Sequence, residues 1–203
     1  MSLRKGNIFT IVAPSGAGKT TIVSGLVATD PNVQLSVSYT TRAPRAGEIE
    51  GKSYHFVSLD TFQQMIAQQA LLEYAQVHGN WYGTSRLWLE QVLQNGRDIL
   101  LEIDWQGAQQ VRQIFTQTIG IFILPPCLST LEKRLRERGT DKPEVIAQRL
   151  KAAQTEIAHI DEFDYVIINK YVENAVRDLS AIVQAARLTR IQQQHMINTI
   201  LKL

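Results

Sequence analysis

Apolar residues in this chain gather in short, nearly unbroken runs. Residues 7–13, NIFTIVA, form the first, and DILLEI at 98–103, IGIFIL at 119–124 and DYVII at 164–168 repeat it. Runs of this length without polar alternation predict strands buried on both faces. Between them the spacing turns helical: TTIVSGLV sets Ile22, Val23, Leu26 and Val27 on one face. Buried strands alternating with amphipathic helices predict an α/β fold, a parallel sheet flanked by helices.

Two intervals break this rhythm. Residues 38–90 are rich in turn formers and aromatics, and polar–apolar alternation around KSYHFVS predicts a small mixed α/β insertion. Residues 129–160 are charged and helical. Ser129 with Glu132, and Asp141 with Glu144 behind Pro143, have the spacing of capping boxes. Ile146, Leu150, Ala153, Ile157 and Ile160 mark the buried face of the second helix there. The expected organisation is core over 1–37, insertion over 38–90, core over 91–128, the helical interval over 129–160, and core with a C-terminal helix over 161–203. That last helix carries Ile191, Met196, Ile200 and Leu203, which can dock on their own core or on another subunit, so a homo-oligomer stays open.

Composition removes several function classes. A formal charge of +2 over 203 residues gives no basic stripe for a nucleic-acid backbone, although Arg187, Arg190 and Lys202 make the C-terminal end locally basic. The longest apolar stretch, IGIFILPPCL, is broken by Pro125 and Pro126 and is too short for a membrane helix. The single cysteine, Cys127, excludes an internal disulfide framework; with no signal-like N-terminal run, a cytoplasmic protein is expected. His55, His78, His159 and His195 lack metal-ligand spacing.

The first clear chemistry is APSGAGKTT, joining the first strand to the first helix. It has the glycine–lysine–threonine ending of a phosphate-binding loop, with Ala13 where the pattern begins on glycine. After Pro14, which has no N–H, successive backbone N–H groups of Ser15-Gly16-Ala17-Gly18 and the following turn can curl round an oxyanion at the positive end of the helix. Lys19 supplies a mobile charge for the β and γ phosphates, Thr20 a hydroxyl for Mg²⁺, and Thr21 closes the loop. In LLEIDWQG, Glu102 and Asp104 lie two apart, on one face of a strand. Glu102 can hold magnesium through water and Asp104 can reach a second substrate, or the two roles can be exchanged.

A second anion site follows closely. SYTTRAPRAGEIEGKSYHF places Arg42 and Arg45 three apart around Pro44, with Tyr54 as a neutral donor downstream. Arginine forks suit the phosphate of another molecule. Glu73 then stands among Leu71, Leu72, Tyr74 and Ala75, an expensive place for a charge, with Tyr82, Thr84 and Ser38 within reach. Guanine offers N1–H and N2–H₂ side by side, which one carboxylate accepts together, while adenine would leave that carboxylate unpaired.

These motifs together resemble bacterial-type guanylate kinases, P-loop nucleoside monophosphate kinases, from about residue 5 to residue 186. The resemblance rests on APSGAGKTT, SVSYTTRAPRAGEIEGKSYHFVS, EYAQVHGNWYGTS, LEIDWQG, RLRERGT and FDYVIIN. It implies transfer of the γ-phosphate of ATP to GMP, and to dGMP, by a core with a GMP-binding insertion and a helical lid. By motif, it implies that Arg42, Arg45, Tyr54 and Tyr82 hold the GMP phosphate, and that Ser38, Glu73, Thr84 and Asp104 hold the guanine. It further implies that Arg134, Arg138 and Arg149 serve the ATP phosphates beside Lys19, with Asn169 near the adenine. Lys170 departs from the acid that often follows that asparagine. Two alternatives remain at this level: a kinase of another nucleoside monophosphate, and a nucleotide-binding module without transfer.

Overall fold

The computed structural model describes residues 5–77, 79–137 and 143–201. The four apolar runs form, with one strand they did not include, a sheet of five parallel strands: β1 (Ile8–Val12), the unforeseen β2 (Val33–Leu35), β7 (Asp98–Glu102), β8 (Ile119–Leu124) and β9 (Tyr165–Ile168), in the order β2-β7-β1-β8-β9. Central β1 pairs Ile8 with Ile99 on one side and Phe9 with Ile119 on the other, and all five of its residues are buried. Helices on both faces explain why it shows no polar alternation. Phe9 and Ile11 pack under α1 (Lys19–Thr29) and α7 (Val172–Arg187), against Ile22, Leu26, Leu179 and Val183. Ile8 and Val12 pack on the opposite side with Leu89, Val92 and Val111 of α3 (Arg86–Gln94) and α4 (Trp105–Ile114).

One strand differs from expectation. The run DYVII reads as fully buried, yet β9 is the sheet edge: Ile167 is buried while Tyr165, Val166 and Ile168 are exposed. A run of apolar residues does not say on how many sides it will be covered.

A second sheet rises beside the first. It joins β3 (Tyr39–Thr40), β4 (His55–Phe56), β5 (Leu71–Val77) and β6 (Asn80–Ser85) in the order β4-β3-β6-β5, with α2 (Leu59–Ala67) between β4 and β5. The β5–β6 and β3–β6 pairs are antiparallel and the β3–β4 pair is parallel. The expected boundary at residue 90 falls inside α3, whose Leu89, Val92 and Leu93 pack on the larger sheet.

Helices α5 (Leu128–Glu137) and α6 (Pro143–Ile157) share a small core of Leu131, Leu135, Ile146 and Ala153, with Leu150 against it. The capping box expected at Ser129 does not form. Helix α5 starts one residue earlier, with the Cys127 carbonyl accepting from Leu131 N, and Glu132 turns instead to Arg136 at 2.6 Å. In the second box Pro143 does open α6, while Asp141 lies outside the described residues, as do Arg138, His78 and Leu203.

The C-terminal end is less basic in space than in sequence. Arg187 is drawn into the core, donating to Asp98 Oδ2 and Asp30 Oδ2 at 2.6 Å each, so it ties α7 to the sheet. Helix α8 (Arg190–Leu201) buries none of its residues and leaves Ile191, Met196 and Ile200 exposed, reaching the core through Gln192 Nε2 and Asn7 Oδ1 at 2.7 Å. Among the described residues no helix is long and apolar enough to cross a membrane.

Candidate active site

At the carboxyl ends of β1 and β7 a cavity of about 300 Å³ opens between the two sheets. This is where open parallel sheets place ligands. The loop after β1 forms its floor. Gly16 and Gly18 take φ of 92° and 94°, left-handed values that only glycine adopts without strain, and they turn the chain sharply enough to start α1 at Lys19. Pro14, Ser15, Gly16, Gly18, Lys19, Thr20 and Thr21 all line the cavity. Buried Ala17 instead lends its carbonyl outward, accepting from Asn169 Nδ2 at 2.7 Å and from Arg134 Nη1 at 3.2 Å.

Those contacts locate two other expected residues. Arg134 donates its second Nη to Asn169 O at 3.1 Å, so α5 and the end of β9 clamp the outside of the loop. Asn169 is buried, does not line the cavity, and keeps an unpartnered Oδ1. Arg149 sits half-buried on α6, outside the cavity lining.

Lys19 Nζ donates to Ile103 O at 3.2 Å, and Thr20 Oγ1 donates to Glu102 Oε2 at 3.4 Å. The other Glu102 oxygen is buried without a partner. Desolvation raises the Glu102 carboxyl above its ordinary range, against the pull of Lys19 and the Thr20 hydroxyl. Both Glu102 and Asp104 face the cavity, but not through strand alternation as expected. Strand β7 ends at Glu102, and Asp104 is the N-cap of α4, its Oδ1 accepting from Gly107 N at 2.8 Å.

The far wall belongs to the smaller sheet. Ser38, Tyr54, Glu73 and Tyr82 line it, and the register sets Glu73 opposite Thr84 across β5 and β6. Glu73 is 3% exposed; its Oε1 and the Thr84 hydroxyl make no hydrogen bond of good geometry, although Thr84 lies close enough to steady the carboxylate. Burial lifts the Glu73 carboxyl to about 7, with Thr84 opposing the rise and Asp104 adding to it. A native protein rarely leaves such atoms orphaned unless something else fills the gap.

Neither Arg42 nor Arg45 lines the cavity. Arg42 Nη2 donates to Glu48 Oε1 at 2.7 Å, and its guanidinium lies 5.3 Å from the centroid of the Tyr54 ring, itself part of the cavity wall. The hydrogen bond to Glu48 raises the Arg42 pKa, burial opposing. Glu48 Oε2 accepts from Arg45 N at 2.7 Å, while the Arg45 side chain is exposed. Sequence reasoning missed Glu48, although an acid three residues past Arg45 in a basic turn was the available signal. It also missed Glu156 of α6, which lines the cavity from the side of the helical pair. Among the described residues no group of three or more His, Cys, Asp or Glu could hold a metal.

Gly107 shows how tightly this wall is drawn. A Cβ there would fall 2.5 Å from Glu73 Oε2 and 3.3 Å from Asp104 Oδ1. The clash is with the end of a flexible side chain, so Gly107→Ala should fold and displace the Glu73 carboxylate. If Glu73 binds the second substrate as the sequence predicts, steady-state kinetics should then show a rise of about 10- to 100-fold in KM for that substrate, with little change for one bound at the phosphate loop. Equal losses for both would detach Glu73 from the acceptor.

Known proteins resemble this chain over almost its whole length. The family model described as guanylate kinase matches residues 5–186. A guanylate kinase of Dechloromonas aromatica (strain RCB) is 58% identical over 184 residues, covering 91% of each chain. One from Aromatoleum aromaticum (strain DSM 19018 / LMG 30748 / EbN1) is 57% identical over 190 residues, 94% of this chain and 93% of its own. The crystal structure of guanylate kinase from Anaplasma phagocytophilum superposes with a TM-score of 0.82 at 32% identity, covering 100% of this chain and 99% of that one.

Proposed function

The chain belongs to the guanylate kinase family, and from that premise we propose how its cleft performs the reaction. The enzyme phosphorylates GMP with ATP, giving ADP and GDP on a P-loop α/β core. The observation that carries the reading of the site is the pairing, across one cavity, of a glycine-turned anion loop with the orphaned carboxylate oxygen of Glu73, behind which Thr84 is buried. One end suits a triphosphate and the other suits guanine.

Pro14 through Thr21 cradle the ATP phosphates, and Lys19 draws charge from the β and γ oxygens. Glu73 accepts from guanine N1–H and N2–H₂, Ser38 and Thr84 donate to acceptors on the base, and Asp104 closes the amino edge. Arg42, Arg45, Tyr54 and Tyr82 hold the GMP phosphate. That phosphate is already anionic, so the attack needs no protein base. Catalysis is then positioning plus neutralisation of charge during in-line transfer. Arg134 and Arg149 belong to the helical pair, with Arg138 next after α5 in the sequence, and closure of the pair over the loop excludes water and keeps the phosphoryl group from hydrolysis. Asn169 acts by anchoring the loop, which places it beside the ATP site without reading adenine through its donor group.

Guanylate kinases use a divalent metal with these nucleotides, and the residues here fit magnesium: a threonine hydroxyl beside a carboxylate with one unpartnered oxygen is a hard-oxygen donor set. Thr20, and Glu102 through water, would hold it, and it would supply charge neutralisation at the β and γ phosphates. The exposed free thiol of Cys127 fits a reducing, cytoplasmic setting.

The test is phosphoryl transfer from ATP to GMP, dGMP, AMP, CMP and UMP, with magnesium present and withheld. Magnesium-dependent transfer confined to the guanine nucleotides is expected. Transfer to another base would remove the reading of Glu73, and binding of both nucleotides without products would leave a binding module.

A further inference from the structure

The acceptor nucleotide carries few hydrogen-bond donors. Guanine has N1–H and N2–H₂, the phosphate has none, and the ribose has two hydroxyls. In the reading above, on which this inference rests, Glu73 and Asp104 take the base. Glu156 is a further carboxylate lining the same cavity, and that reading leaves it without a task.

Its placement is specific. Glu156 lies on α6 between buried Ala153 and Ile157, which packs against the core of the larger sheet, so the backbone that carries it is anchored on both sides. Its carboxylate is half-buried and has no hydrogen-bond partner among the described residues. The charges it feels are Lys19 and Asp104. One belongs to the phosphate end of the cleft and the other to the base end. The acceptor's guanine lies at the Asp104 end and its phosphate must meet the γ-phosphate beside Lys19, so its sugar passes between them. A phosphate at this point would be repelled by the carboxylate, and Lys19 is already engaged with Ile103 O. What remains for an unpartnered acceptor is a hydroxyl donor.

We propose that Glu156 is a specificity-determining residue that accepts a hydrogen bond from a ribose hydroxyl of the acceptor nucleotide. Desolvation lifts the Glu156 carboxyl to about 7, Lys19 pulling it down and Asp104 pushing it up, so the ionised form lacks the donor that a sugar hydroxyl supplies. The contact gives the cleft a way to tell GMP from deoxy acceptors, and it ties the sugar to the helix adjoining the lid.

The experiment compares kcat/KM for GMP, 2′-deoxy-GMP, 3′-deoxy-GMP and 2′,3′-dideoxy-GMP in the wild type, Glu156→Ala and Glu156→Gln. The wild type is expected to favour GMP over the dideoxy analogue by about tenfold or more, the cost of leaving a charged acceptor unpaired. Glu156→Ala should remove that preference by lowering GMP alone. Glu156→Gln, whose amide oxygen still accepts, should keep part of it. Whichever single deoxy analogue behaves like the dideoxy one identifies the hydroxyl. Equal use of all four acceptors by the wild type would overturn the proposal, as would an equal fall for GMP and dideoxy-GMP in Glu156→Ala, which indicates action through Lys19 or packing. Failure of the wild type to phosphorylate GMP at all would overturn the guanylate kinase reading first, and this one with it.

Discussion

Lys19→Ala should lower turnover by about 10³-fold with both substrates saturating, the scale on which a preorganised charge at a transferring phosphoryl group acts. In the structure Lys19 is not idle: its ammonium is held by the Ile103 carbonyl at 3.2 Å, at the carboxyl end of the strand that also carries Glu102. That tether aims the side chain across the mouth of the loop and limits the conformations it must give up when phosphates arrive. The substitution removes one flexible, half-buried side chain from the start of α1 and leaves Gly16 and Gly18 to shape the loop, so the fold should persist. Kinetics at saturating nucleotide, beside circular dichroism and direct ATP binding, separate the possibilities. A near-normal kcat would remove Lys19 from the transition state; a fall in ATP affinity alone would make it a ground-state phosphate ligand. Lys19→Arg is informative too, since a planar fork cannot replace a compact point charge at the same reach.

The contrast between Lys19 and Glu156 marks what could be read from the chain. Lys19 belongs to a strand–turn–helix unit whose parts are neighbours in sequence, so one local pattern carries both its geometry and the role proposed for it. The same holds for β1, β7 and β8, whose apolar runs form a central sheet. It fails for β9, because whether a strand lies inside a sheet or at its edge depends on which elements arrive beside it. Glu73 was legible for a different reason: a charge set between Leu72 and Tyr74 must be explained whatever the fold. Glu156 carried a similar clue between Ala153 and Ile157, but a helix can turn such a residue to solvent, and only the packing of α6 across the cleft brings it inward. Asp104 was found by spacing and placed by capping, since the chain leaves the strand between the two acids. Arg42 and Arg45 were recognisable as a pair, but not the Glu48 carboxylate that orders their turn, because a loop has no periodicity to mark its supports.

Glu73→Gln should show most directly that this cleft trades stability for recognition. The side chain is buried, with one oxygen unpartnered, and its carboxyl stands at about 7 rather than 4.5. A folded value above the unfolded one means that the full stability is present below about 4.5 and is lost as pH climbs towards 7. The gap corresponds to roughly 3 kcal/mol of destabilisation in the ligand-free protein at alkaline pH. Glutamine avoids the charge but still buries polar atoms, so its net gain at pH of about 8 should be about 1–2 kcal/mol, roughly 5 °C in Tm, vanishing near pH of about 5. Against that gain, kcat/KM for GMP should fall about 10³-fold, because an amide presents an N–H to the guanine donors where a carboxylate presents a second oxygen. The wild type should bear the same signature in its pH dependence. Guanine needs the ionised form, so KM for GMP should fall as pH rises through about 7 and then level off, while the variant should lose that slope. A wild-type KM flat across this range, or a variant that keeps guanine selectivity, would move guanine recognition away from Glu73. A variant that is more stable, blind to pH and poor with GMP would identify the buried carboxylate as a charge whose missing partner is the substrate.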